Sequence, residues 1–160
     1  RLSMPLGWIK DMDFGRRAIS ERPVDASPYS LVYFGGKIID GGYDPRLYIL
    51  SADASGDGMS TVVDRDLRQL SVQYPDDRLV TKAATRLFGG PAEWVEMFRT
   101  DSTSGLTVRT FQVHLIRWGK EWMLRCVTTD SDPNIEIMKP NLPRSEMAGC
   151  KESLFSVRFP

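Results

Sequence analysis

The stretch from Ala92 to Thr129 restricts the fold most strongly, because it holds three segments of strand character separated by two turn signals. The sharper of these turns is Trp118–Glu121. Gly119 suits the first central position of a type II′ turn, whose twist matches that of antiparallel strands. The sequence therefore predicts an antiparallel meander that closes with a tight hairpin.

The predicted turn also assigns side chains to the two faces of the sheet. With Gly119 and Lys120 at the tip, Leu115 pairs with Leu124, and alternation separates an apolar face from a mixed face. The apolar face, expected in the core, comprises Phe111, Val113, Leu115, Arg117, Trp122, Leu124, Cys126 and Thr128. The mixed face comprises Gln112, His114, Ile116, Trp118, Glu121, Met123, Arg125 and Val127.

The rest of the chain alternates between strand and helix patterns. Further strands are predicted at Leu2–Ile9, Ser30–Ile39, Arg46–Ala52, Leu79–Phe88 and Phe155–Phe159. Helices are predicted from Thr61, where Asp64 completes a capping box, to Pro75, and over Arg144–Leu154. The polar stretch Lys10–Pro28 is expected to be loop with at most one helical turn. This order indicates an α+β fold, a largely antiparallel sheet with helices packed on it.

Length and charge limit the class of protein further. We expect 160 residues to form a single domain, 1–160. The 21 basic side chains balance the 21 acidic ones, which removes the electrostatic basis for binding nucleic acid or an anionic membrane. No apolar run approaches the roughly 18 residues of a spanning helix, so no transmembrane segment is predicted. Because the chain opens at Arg1 rather than Met, we expect that an upstream segment was removed.

One short motif has the spacing of a calcium loop. Such loops place oxygen ligands at positions 1, 3, 5, 7, 9 and 12 around a glycine at position 6. The matching positions are Asp53, Ser55, Asp57, the Met59 carbonyl, Thr61 and Asp64, with Gly58 at the sixth. Ser55 stands where such loops usually have a carboxylate, and Asp64 stands where they have the longer Glu. The segment before the loop is predicted to be a strand and not a helix. Calcium is thus the candidate cofactor, and a polar loop that caps the helix is the alternative.

Cysteine and histidine give few catalytic options. His114 is the only histidine, and the hairpin places it on the face opposite to Cys126, which argues against a nucleophilic pair. His114 and Trp118 share the mixed face and are the candidate partner-binding residues, unless that face is a second core layer under a helix. For His114 a partly buried structural role is favoured over a catalytic one. Cys126 and Cys150 both point inward, so they either form a disulfide in an oxidising compartment or remain buried thiols, which we favour.

Three short segments carry a family resemblance. They are Pro5–Trp8 near the start, Gly89–Ala92 before the meander, and Ser153–Phe159 at the end. With the order of elements, they make the chain resemble the superfamily that joins PsbP, DcrB-type bacterial lipoproteins and the Ran-binding nucleotide-release factor. The resemblance covers nearly the whole chain and implies a binding or assembly module that is commonly exported.

Two functions are therefore carried forward. The first is a non-enzymatic binding or assembly module with a protein partner, exported or lipid-anchored in its full-length form. The alternative is a small hydrolase or transferase that uses a cleft carboxylate, Glu93 or Glu96. A concave pocket around Glu96 would favour the enzyme.

Overall fold

The computed structural model describes residues 2, 4, 6–20, 28–39, 42–100, 105–130 and 146–158. Within these ranges the strands are β1 Trp8–Lys10, β2 Ser30–Ile39, β3 Gly42–Asp53, β4 Arg78–Leu87, β5 Gly90–Thr100, β6 Thr107–Arg117 and β7 Lys120–Asp130. The helices are α1 Met12–Ser20, α2 Met59–Gln73 and α3 Glu146–Phe155.

All seven strands belong to one sheet with the order β1-β2-β3-β7-β6-β5-β4. Every neighbouring pair is antiparallel. The chain leaves β3 in the middle of the sheet, passes through α2 and re-enters at the outer strand β4. Helices pack on this sheet, which confirms the predicted α+β fold.

The β6–β7 hairpin confirms the predicted faces and corrects the predicted turn. Trp118 and Gly119 are its central residues, with φ of +52° and +68°. Two positive φ values define a type I′ turn, so the predicted type II′ turn centred on Gly119 and Lys120 is wrong. Leu115 consequently pairs with Trp122 and not with Leu124. The shift is two residues, and a shift of two leaves every side chain on its original face.

The apolar face of the sheet is covered by α3. Its buried residues are Leu47, Ile49, Ala92, Phe111, Val113, Leu115, Leu124 and Cys126 from the strands, with Met147, Cys150, Leu154 and Val157 from α3 and the residues after it. Cys126 and Cys150 form a disulfide with Cα atoms 5.9 Å apart. The expectation of two free thiols is therefore wrong, because both side chains point to the same place in this core.

The opposite face is covered by α1 and α2. Phe14 of α1 packs on Phe34 of β2 with ring centroids 5.3 Å apart, and Gly15 lies so close to Phe34 that a Cβ atom there would collide with it. The amide of Phe14 donates to Asp11 Oδ1 at 2.9 Å, which caps the helix. The prediction of loop across Lys10–Pro28 is thus wrong for the nine residues of α1.

Several predicted boundaries also move. Helix α2 begins at Met59 after the N-cap Gly58, and no side chain caps it, so the capping box on Thr61 is wrong. Strand β3 begins at Gly42, four residues before the predicted start at Arg46. Phe155 ends α3 and residues 156–158 are not strand, while Phe159 lies outside the described residues. None of the described helices combines the length and apolar character that crossing a bilayer requires.

Candidate functional site

A layer of polar side chains lies between α2 and the sheet; we call it the polar layer. Helix α2 supplies Arg65 and Asp66, and Tyr29 enters from the residues just before β2. The adjoining strands β6 and β7 supply Gln112, His114, Glu121 and Arg125. Apart from Arg65 these side chains are buried, with Asp66 only 3 % exposed and His114 1 %.

The polar layer is held together by charged hydrogen bonds. Arg65 Nη2 lies 2.6 Å from Glu121 Oε2, and Tyr29 donates its hydroxyl to Asp66 Oδ2 at 2.8 Å. Burial, together with the charge of Asp66, raises the pKa of Tyr29 far above its ordinary value. Burial alone would raise the pKa of Glu121, but the bonds from Arg65 and Ser55 outweigh it and hold that pKa below its ordinary value.

His114 belongs to this layer and not to the surface. Its Nδ1 lies 3.3 Å from Asp66 Oδ2, within ionic contact distance but outside hydrogen-bond geometry, and its Nε2 faces the Gln112 amide. A His and Asp pair resembles part of a catalytic set, yet a substrate atom must reach the base directly or through one water. His114 is 1 % exposed, so it does not share a surface with Trp118.

The loop after β3 is fastened to the tip of the β6–β7 hairpin. Ala54 donates its amide to the Gly119 carbonyl at 2.9 Å, and Lys120 Nζ lies 2.8 Å from Asp53 Oδ1. Ser55 adds two bonds to Glu121 Oε1, from its amide at 3.0 Å and its hydroxyl at 2.7 Å. We call residues 53–58 and 117–121 together the hairpin corner. Residues 53–55 thus hold the hairpin through contacts to Gly119, Lys120 and Glu121.

Trp118 projects from the hairpin corner. Its side chain is 54 % exposed, and the Arg117 guanidinium lies 4.5 Å from the ring centroid. A Cβ atom at Gly89 would lie 3.5 Å from Arg117 Nη2, so the β4–β5 turn adjoins the same corner. Tryptophan and arginine are the side chains most often found as energetic anchors of protein interfaces.

The five residues predicted to bind calcium are only partly brought together. Ser55 Oγ lies 2.8 Å from Asp57 Oδ2, while Thr61 is exposed within α2. Hydrogen bonds from Lys120 and Lys82 respectively lower the pKa values of Asp53 and Asp64. In the described ranges no group of three or more acidic, His or Cys side chains converges as metal ligands would. Calcium binding stays a prediction, and an ion there has to displace both lysines.

The two carboxylates proposed for a hydrolase lie on opposite faces of β5. Glu93 is buried and 3.1 Å from Lys82 Nζ, whereas Glu96 faces α3 and accepts from Lys151 Nζ at 3.2 Å. A small pocket lies at the C-terminal end of α2, and neither carboxylate lines it. This pocket is therefore not the cleft around Glu96 that the enzyme alternative expects.

The polar layer was missed in the sequence, although α2 carries one signal of it. Asp66 lies on the buried stripe of the helix with Val62, Val63 and Leu70. An acidic residue on such a stripe needs a buried partner, which implies a polar group on the facing strands.

No protein-family model matches this chain, and no characterised protein matches its sequence. Among solved structures it is similar to LpqN, described as involved in cell envelope biogenesis of Mycobacterium tuberculosis, with 12 % identity, TM-score 0.53, and coverage of 97 % of this chain and 79 % of that one. A protein of unknown function from Pseudomonas aeruginosa, PA94, matches with 22 % identity, TM-score 0.48, and coverage of 78 % and 90 %. These likenesses concern the fold. Neither description names PsbP or DcrB, so that superfamily stays a prediction.

Proposed function

We propose that this chain is a non-enzymatic binding or assembly module, and that a partner protein docks on the hairpin corner with Trp118 as its anchor. The observation that carries the proposal is the exposed Trp118 residue in a hairpin turn to which residues 53–55 are hydrogen-bonded. A large aromatic side chain on a rigid support contributes contact area while losing little conformational entropy on binding.

The surroundings of Trp118 fit an interface of this kind. Arg117 stacks on the ring, and Lys120, two residues further along the chain, forms a solvent-exposed ion pair with Asp53. Interfaces combine an aromatic or arginine anchor with a polar, solvated rim. His114 is buried in β6, the strand that leads into the hairpin, and does not itself contact a partner in this proposal.

We further infer that the module works outside the cytosol. The disulfide between Cys126 and Cys150 supports this, because such bonds persist in oxidising compartments. The description of LpqN as a protein of cell envelope biogenesis agrees with an exported or lipid-anchored module. Calcium, if it binds residues 53–64, acts at the hairpin corner itself and would stiffen the partner surface.

Site-specific photo-cross-linking tests the proposal. A photoreactive amino acid is placed at position 118 of the full-length protein in its native cells, with position 72 as the matched control. Val72 is 85 % exposed and lies on α2, away from the hairpin corner. We expect a discrete protein adduct from position 118, a weaker one from the adjacent position 120, and none from position 72. Equal adducts at 118 and 72, or no adduct at 118, would contradict the proposal.

A further inference from the structure

A pocket of about 70 Å³ opens on the same face as the polar layer, at the C-terminal end of α2. Strands β3, β5, β6 and β7 form its floor, and Leu70, Tyr74 and Asp77 close it at the helix end. This pocket is separate from the hairpin corner, since it shares no residue with it. It needs an explanation of its own.

The lining of this pocket is rich in arginine. Arg46, Arg99 and Arg125 line it together with the single carboxylate of Asp77, so three positive charges and one negative charge leave an excess of two. The polar layer next to it adds Arg65 and the two carboxylates of Asp66 and Glu121. Pocket and polar layer together therefore hold four arginines and three carboxylates, and one positive charge stays in excess.

The excess charge lies on Arg46. Arg99 Nη1 is 3.2 Å from Asp77 Oδ1, and its guanidinium stacks 4.1 Å from the centroid of the Tyr74 ring. For Arg46, in contrast, the buried Nε has no hydrogen-bond partner in the described part of the chain. A buried donor without an acceptor costs free energy, which an incoming acceptor recovers.

Arg125 is fixed at the inner side of the pocket by the polar layer. Its Nε donates to Gln112 Oε1 at 2.8 Å, and one terminal nitrogen lies 3.2 Å from Met123 Sδ. Gln112 in turn contacts His114, which faces Asp66. The guanidinium is therefore positioned before any ligand arrives, and preorganised charge binds an anion more strongly than a mobile side chain does.

Size and charge together define the ligand. On the same volume measure a water molecule needs roughly 10–15 Å³, so this pocket holds a group of a few heavy atoms. Planar guanidinium groups bind carboxylate and phosphate oxygens with paired, charge-assisted hydrogen bonds. We propose that the pocket of Arg46, Arg99 and Arg125 is a binding site for one oxyanion group, a carboxylate or a phosphate, carried by a ligand.

The test follows the Nε–H signals of the arginines by NMR in the folded, oxidised protein. Inorganic phosphate and sodium acetate are titrated separately at constant ionic strength, with sodium chloride as the reference salt. We expect the Arg46 signal to shift and saturate with phosphate, acetate or both, while chloride leaves it unmoved. The anion with the lower apparent Kd identifies the oxyanion class.

Two pocket variants should move affinity in opposite directions. Arg46→Gln removes the excess charge and should weaken binding by about tenfold or more, the worth of one charge-assisted hydrogen bond. Asp77→Asn removes the competing carboxylate and should tighten binding. Arg86→Gln is the matched control, because Arg86 is exposed on β4 and does not line the pocket.

The outcomes separate cleanly. In the variants the Arg99 and Arg125 Nε–H signals report binding, and an apparent Kd that rises about tenfold or more in Arg46→Gln and stays unchanged in Arg86→Gln supports the site. Shifts that rise without saturation, that occur equally with chloride, or that keep the wild-type Kd in Arg46→Gln would overturn it. If Arg46→Gln does not fold, the affinity of Asp77→Asn tests the proposal instead. Anion binding by Asp77→Asn that is unchanged or weaker than in wild type contradicts it.

Discussion

Arg65 Nη2 of α2 lies 2.6 Å from Glu121 Oε2 of β7, and this ion pair fastens the helix to the middle of the sheet. The Glu121 side chain is 2 % exposed and that of Arg65 is 25 % exposed. Glu121 also accepts two bonds from Ser55 in the hairpin corner. One buried carboxylate therefore links the helix, the sheet and the candidate partner surface.

The linkage predicts how stability changes with pH. The pKa of Glu121 is lower in the folded protein than in the unfolded chain, because the bonds from Arg65 and Ser55 outweigh the opposing effect of burial. Its stabilising contribution is present above the unfolded pKa, roughly 4.3, and is lost as pH falls through the folded pKa. In Glu121→Gln the free energy of unfolding should depend less on pH in the acidic range. At neutral pH it should be lower by about 2 kcal/mol, less than for a fully buried pair because Arg65 is partly solvated.

Urea unfolding across the acidic range measures this effect. Asp13→Asn is the control, since Asp13 pairs with Arg16 on the exposed surface of α1 and its loss should leave the profile almost unchanged. A Glu121→Gln protein with the same acidic limb as wild type would show that the pair does not stabilise the fold.

The disulfide gives a second prediction. Cys126 and Cys150 are 24 residues apart in sequence, and closing a loop of this size stabilises a fold by about 2–4 kcal/mol. Cys150→Ala should lose that amount under oxidising conditions and should no longer respond to reductant. Mass spectrometry of the unreduced protein should show two hydrogens fewer than the reduced form. Two thiols that titrate freely in the unfolded, unreduced chain would contradict the bond.

Calcium binding can be tested by removing a lysine that is hydrogen-bonded to one of the predicted carboxylate ligands. Since Lys120 bonds to Asp53, Lys120→Gln should free that carboxylate and strengthen calcium binding. Asp57→Ala should abolish it, and wild-type affinity should be weak, on the order of 10⁻⁴ to 10⁻³ M. The measurement is the rise in melting temperature with calcium over sodium at equal ionic strength. Asp76→Ala serves as the control. If the melting temperature of neither wild type nor Lys120→Gln rises at several millimolar calcium, the calcium hypothesis is wrong.

Much of the sheet follows from sequence pattern. Strand β2 has the predicted bounds Ser30–Ile39, and the two faces of the β6–β7 hairpin are as predicted, because alternation depends only on parity. The register was off by two because Trp118 adopts a positive φ, which sequence statistics disfavour for a bulky residue. Helix α1 was missed because the polar composition of Lys10–Pro28 favoured a loop, although Met12 and Ile19 are seven residues apart, as on one face of a helix. It forms where Phe14 can pack on Phe34.

The candidate site depended more on tertiary contacts. Trp118 was accessible to pattern reasoning, because a turn residue beside an amphipathic strand reaches solvent. A second core layer under a helix was one expectation for the face of His114, but the polar contacts that His114 makes there depend on α2 lying over that strand. The same holds for the arginine pocket, where Arg46, Arg99 and Arg125 come from three strands that are distant in sequence. Spacing along the chain carries no signal for such convergence.

The central claim is that Trp118 anchors a partner protein at the hairpin corner, and calorimetric titration with the cross-linked partner tests it most directly. Wild type, Trp118→Ala and the exposed control Val72→Ala are compared at equal concentration, with melting curves to confirm that each is folded. The account predicts that Trp118→Ala weakens binding by about 30-fold, the effect of losing an anchor worth about 2 kcal/mol, with little change in melting temperature. Val72→Ala should bind like wild type. Equal affinity for Trp118→Ala and Val72→Ala would contradict the account.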